Sequence, residues 1–142
     1  MRQKQTGISL LEVLLSIMVG ALIIFIAVRL YVSAHESVKI NKFLTNVNNI
    51  VDASYQWYQG QPTGFANINA QMLEDAGYID ASSFDNPWDS SNIKIGPGDT
   101  NDSLQITANM PDEATCNLIS GHLSHAAQTE KCKKNNTYIG TF

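Results

Sequence analysis

Residues 6–28 read TGISLLEVLLSIMVGALIIFIAV. From Val13 to Val28 no residue is charged, and only Ser16 and Gly20 interrupt the apolar run. Widening the window to Ile8–Val32 admits two charges, Glu12 and Arg29. A helix needs roughly 20 mostly apolar residues to cross the hydrocarbon core of a bilayer, so this stretch predicts a membrane span. A cleavable secretory signal fits less well. Its apolar region runs about 7–15 residues and ends at a small-x-small site, whereas here Arg29, Leu30 and Tyr31 continue a helical pattern. Arg2 and Lys4 precede the span, which by the positive-inside rule keeps the N-terminus cytoplasmic; Lys39 and Lys42 beyond it pull weakly the other way.

The helix does not stop where the greasy run does. Gly20 is the one glycine between Ile8 and Gln59, and the first proline is Pro62. Past the span, Ile40, Phe43, Leu44, Val47, Ile50, Val51, Ser54 and Tyr58 recur at spacings of three and four, leaving Asn41, Asn46, Asn48, Asn49 and Asp52 for the other side. That is an amphipathic stripe. One helix from about Ile8 to about Gln59 follows, roughly 75–80 Å long at 1.5 Å per residue, stopped by Gly60-Gln61-Pro62-Thr63-Gly64.

The remaining residues predict a small head. Asn69–Ala76 reads as a short capped helix ended by Gly77, and Ser82–Ser91 as a loop around Pro87 and Trp88. Asn92–Ile95 and Leu104–Ala108 alternate polar and apolar residues across the turn-rich GPGDTND, the pattern of a hairpin. Pro111-Asp112 opens a helical segment to about Ala127, with Cys116 in its first turns, and a final strand is expected at Tyr138-Ile139. After Gly60 there are ten acidic residues against four lysines, and an acidic surface repels nucleic-acid phosphates. Cys116 and Cys132 have fifteen residues between them. On an exported segment the pair is most simply a disulfide. The zinc alternative needs four ligands, and only His122 and His125 lie nearby.

Glu12 is the anomaly. A carboxylate at mid-bilayer costs about 2.5–3.5 kcal/mol on insertion scales, less near the edge; such residues normally have partners, and the bland alternative is a lone polar residue tolerated near the interface. A cut between Gly7 and Ile8 would free an α-amino group four residues before Glu12, about 6 Å along the axis. That ammonium could pair with Glu12 within one chain; between neighbouring chains the pair would do more, setting the register and direction that helices packing only apolar surfaces in lipid lack.

Lys4-Gln5-Thr6-Gly7 followed by Ile8-Ser9-Leu10-Leu11-Glu12 resembles the processing signature of type IV prepilins: a basic leader, Gly at the cut, a hydrophobic first mature residue and Glu as the fifth. Ile8 stands where Phe is commonest, Ser9 where Thr is, and Arg29 where many members carry a helix-kinking proline. The resemblance implies cleavage between Gly7 and Ile8 by a membrane prepilin peptidase, N-methylation of Ile8 by the same enzyme, and a role for Glu12 in docking subunits onto a growing helical homopolymer. Asn86-Pro87-Trp88, Met110-Pro111 and Cys116-Asn117-Leu118 look like the type IVb branch, which includes toxin-coregulated pilins and the thin pili of conjugative plasmids, although that branch usually has a longer leader.

The expected fold is α+β. Residues 1–7 form a leader, 8–32 a transmembrane and filament-core half-helix, 33–59 an amphipathic half-helix, and 60–142 a head that the resemblance makes α/β with a disulfide joining Cys116 and Cys132. The implied location is the bacterial inner membrane before assembly and the extracellular pilus after it. Implied partners are identical subunits, the peptidase and the inner-membrane assembly machinery, without a cofactor. A minor pilin, a type II secretion pseudopilin and a single-span membrane-anchored binding protein are the alternatives.

Other residues carry weaker signals. His122 and His125 are spaced i, i+3 without a third ligand. Asp75, Asp80, Asp85 and Asp89 follow no calcium-loop spacing. Lys131, Lys133 and Lys134 could touch DNA or another subunit, an acidic patch on a neighbouring head being a sensible partner, although three lysines usually make a solvated loop. Asn101-Asp-Ser103 and Asn135-Asn-Thr137 match a glycosylation sequon that chance often produces. Trp57, Tyr58 and Trp88 read as filling between helix and head. G-x-S-x-G, P-loop and H-E-x-x-H patterns are missing, which argues against an enzyme.

Overall fold

The computed structural model describes residues 10–142; residues 1–9, and with them the expected leader, the expected cut at Gly7 and the expected methylation at Ile8, lie outside the described residues. Its elements are α1 (Leu10–Tyr58), α2 (Ala70–Asp75), a 3-10 turn (Ala81–Phe84), β1 (Lys94–Pro97), β2 (Leu104–Asn109), α3 (Glu113–Leu123), β3 (Thr129–Cys132) and β4 (Thr137–Thr141). The fold is α+β, and the chain divides into two compact units, Met1–Val38 and Lys39–Phe142.

The described part of the first unit is the N-terminal stretch of α1. Its large apolar side chains are exposed on every side of the helix, with Leu15 at 59% and Ile24 at 65%. Arg29 continues the helix, its guanidinium 4.9 Å from the Phe25 ring centroid.

In the second unit the rest of α1 packs on a four-stranded antiparallel sheet of order β1-β2-β4-β3. Phe43, Val47 and Ile50 lie on one face of α1 by helical spacing and are fully buried. They meet Leu104, Ile106 and Ala108 of β2, Tyr138 of β4, and Cys116, Ile119 and Leu123 of α3 in one core. Burial of each such large side chain contributes about 1.5–3 kcal/mol. The inward positions of β2 and β4 are opposed in register, Ile106 to Gly140 and Ala108 to Tyr138, so alternation along each strand builds one apolar face.

The stripe on α1 sits slightly off the expected line. Asn46, read as a solvent-side residue, is buried, because its Nδ2 donates to the Asp85 carbonyl at 3.0 Å. Local chemistry sets the other boundaries. Asn69 accepts from the Met72 amide at 3.0 Å, and α2 ends where Gly77 takes φ 73°. There the Gly77 amide donates to Glu74 and that of Tyr78 to Leu73, a Schellman closure. Strand β1 begins two residues later than expected, since the amide of buried Ile93 donates to Phe84 rather than to the sheet. Helix α3 ends at Leu123, short of Ala127, where the amides of Ala126 and Ala127 both turn back to the Leu123 carbonyl. Strand β3 was not expected, and neither was the 3-10 turn inside the predicted loop.

Candidate functional site

Glu12 lies in the first turn of α1. Among the described residues its carboxylate meets no cation, and it shares an open apolar surface with Val13, Ser16 and Ile17. Ser16 satisfies its own hydroxyl locally by donating to the Glu12 carbonyl at 2.9 Å. The helix contains a stretch long and apolar enough to cross a membrane, and none of that stretch is buried inside the protein. A core helix of the same composition would hide those side chains; here the described residues leave them uncovered. The carboxylate stands in an apolar surface, a setting that favours pairing with a counter-charge.

Cys116 of α3 and Cys132 of β3 form a disulfide, with Cα atoms 6.0 Å apart. With both sulfurs in that bond, the zinc alternative loses its thiolates. Beneath it, Glu130 accepts from the Ser120 hydroxyl at 2.9 Å and from the Tyr138 phenol at 3.0 Å. Burial, then the Glu130 charge, pushes the Tyr138 phenol well above the usual tyrosine range. Disulfide and carboxylate together fasten α3, β3 and β4 at one end of the head.

The other candidates separate. His122 is in the last turn of α3, whereas His125 falls beyond the helix end. Among the described residues no group of three or more His, Cys, Asp or Glu is placed to hold a metal ion. Asp89 is spent on local structure: it accepts from the Ser91 hydroxyl at 2.6 Å, and that bond leads those holding its carboxyl below the usual range. Trp88 packs on Phe43 with ring centroids 5.6 Å apart, and Tyr58 on Phe65 at 4.7 Å, so both fill the head as expected; Trp57 packs on the same core. Asn101 and Asn135 are exposed in turns, but Ser103 and Thr137 of the two sequons are buried.

Two features escaped the sequence reading. One is the Ser120–Glu130–Tyr138 network. The other is a polar cleft of about 360 Å³ lined by Asn49, Asp52 and Gln56 of α1 and by Tyr78, Asp80 and Ser83. Only pairing between distant segments creates either. No protein-family model matches the chain, and no curated protein matches it.

Proposed function

We propose that the chain is a type IV pilin: a structural subunit cut between Gly7 and Ile8, methylated at Ile8, and polymerised into an extracellular filament. One observation carries this reading, a bare apolar helix whose first turn holds the carboxylate of Glu12. A tether would need the apolar surface but not the charge. In a polymer the apolar surfaces of many helices cover one another, and Glu12 neutralises the Ile8 ammonium of an adjoining subunit. The compact α+β unit with its Cys116–Cys132 disulfide suits a head exposed outside the cell. Catalysis has no part in this reading; the partners are identical subunits, the prepilin peptidase and the assembly machinery of the inner membrane, which holds the subunit before polymerisation.

The test is Glu12→Ala expressed in a host that assembles pili. The variant is expected to remain in the membrane and to give no filaments by electron microscopy, while wild-type filaments yield a subunit whose mass begins at methylated Ile8. Normal filaments from Glu12→Ala, or filament protein that retains Met1, would overturn the proposal.

A further inference from the structure

We infer that two oppositely charged surfaces of the unit Lys39–Phe142 dock copies of this chain head to tail. Lys131, Lys133 and Lys134 of one copy seat against Asp52 and Asp80 in the polar cleft of the next. This rests on the polymer reading above and specifies which head surfaces the polymer joins.

Three of the four lysines that follow Gly60 lie within four positions on the β3–β4 hairpin, and all three are exposed. Their mounting is rigid. Cys132, between Lys131 and Lys133, is tied to α3 by the disulfide. The turn is closed by the Lys133 amide donating to Thr137 at 3.0 Å and the Asn136 amide to Lys133 at 2.9 Å, with Asn136 at φ 58°. The nearest carboxylate in sequence, Glu130, is engaged by Tyr138 and Ser120, and among the described residues that line the outer sheet surface with Lys131 and Lys133 one carboxylate appears, that of Asp99. One carboxylate thus stands beside two of the three lysines.

The cleft is its complement. Asp52 and Asp80 line it with the amides of Asn49 and Gln56 and the hydroxyls of Tyr78 and Ser83, and among the described residues no cationic side chain lines it. Glu74 and Asp75 end α2 just before it. The two surfaces cannot reach each other within one copy. Strand β3 is one edge of the sheet, whereas the 3-10 turn that borders the cleft is hydrogen-bonded to Ile93, next to β1 at the opposite edge. Carboxylates without cations select an ammonium partner, and the same chain offers three on a preformed hairpin. When its rotation closes neither a two-fold dimer nor a ring, a contact between two different patches of one molecule repeats as an open chain, as a filament requires. Single exposed ion pairs are weak, so the contact acts through several pairs repeated along the polymer.

The experiment reverses each surface in the full-length chain: Lys131→Glu with Lys133→Glu and Lys134→Glu, and separately Asp52→Lys with Asp80→Lys. Filament protein in sheared surface material is measured. Like charges brought face to face across an interface cost several kcal/mol, so each reversal is expected to lower the yield by more than about tenfold. Combining both reversals in one chain restores most of it, a recovery that misfolding could not produce. Wild-type yields from either reversal, or no recovery in the combined variant, overturn the docking. If reversed chains assemble normally while Glu12→Ala gives no filaments, the docking fails and the pilin reading stands; if Glu12→Ala also assembles, both fall.

Discussion

The phenol of Tyr138 donates to Glu130 across the diagonal of the β3–β4 pair at 3.0 Å, directly over Gly140. A Cβ on Gly140 would clash with the Tyr138 hydroxyl and the Phe142 ring, so the absent side chain is what lets the phenol reach the carboxylate. Tyr138 also meets Phe43 of α1 edge-on, ring centroids 6.3 Å apart. One side chain therefore links the sheet, the C-terminal half of α1 and, through Glu130 and Ser120, helix α3.

Tyr138→Phe keeps the ring and removes the hydrogen bond to a charged acceptor, a loss of about 1.5–3 kcal/mol. The pH profile distinguishes this contact from mere packing. The folded-state pKa is raised above the ordinary value of 10.0, so the folded chain holds the phenolic proton more tightly than the unfolded one. Its contribution is complete below about pH 10 and declines above it, by about 1.4 kcal/mol per pH unit for one proton. Denaturation followed by circular dichroism at pH 8 and pH 11 is expected to show a smaller alkaline loss for Tyr138→Phe than for the wild type. Equal losses would show that this phenol is not the titrating group.

The disulfide closes a loop of sixteen positions between α3 and β3. In the chain-entropy model a closure of that size is worth about 3 kcal/mol. Cys116→Ser with Cys132→Ser is expected to lower the unfolding free energy by that order, and reducing agent should lower the wild type to the same level. A double variant as stable as the oxidised protein would refute this.

Much of this arrangement was legible in the sequence where periodicity and burial agree. The spacing Phe43, Val47, Ile50 announced the packed face of α1, and Leu104, Ile106, Ala108 announced β2. Strand β3 was not legible, because its inward positions are Glu130 and Cys132: a carboxylate satisfied by partners from other elements, and a cysteine joined to α3. Asn46 failed for the same reason, since its acceptor at Asp85 is thirty-nine positions away. Of the candidate site, Glu12 stood out as the one acid in an apolar run, whereas the cleft at Asp52 and Asp80 exists only once α1 lies beside the segment after α2.

Gly64 and Gly77 separate backbone conformation from close approach. Both take left-handed φ, 63° and 73°. A Cβ at Gly77 would meet open space, but at Gly64 it would strike the Asn101 carbonyl, which also accepts from the Phe65 amide at 2.6 Å. Alanine in that conformation costs about 1–2 kcal/mol. Gly77→Ala is expected to destabilise by that amount. Gly64→Ala should cost more, because the loop after α1 must also move off the β1–β2 turn. Equal melting temperatures for the two variants would remove the steric part of this account.

Ser54 is fully buried on the packed face of α1, and among the described residues its hydroxyl has no hydrogen-bond partner. It stands four positions after Ile50, where an apolar residue would continue the stripe. An unsatisfied buried hydroxyl costs about 1–3 kcal/mol in desolvation. Ser54→Ala removes that penalty and leaves a void no larger than one oxygen atom, while alanine also favours the helix. The variant is expected to be more stable than the wild type by about 1 kcal/mol, read as an upward shift of the denaturant midpoint at unchanged slope. Destabilisation of the same size would mean that the hydroxyl is hydrogen-bonded in solution and that the core around Ile50 and Ala53 is packed differently from the description above.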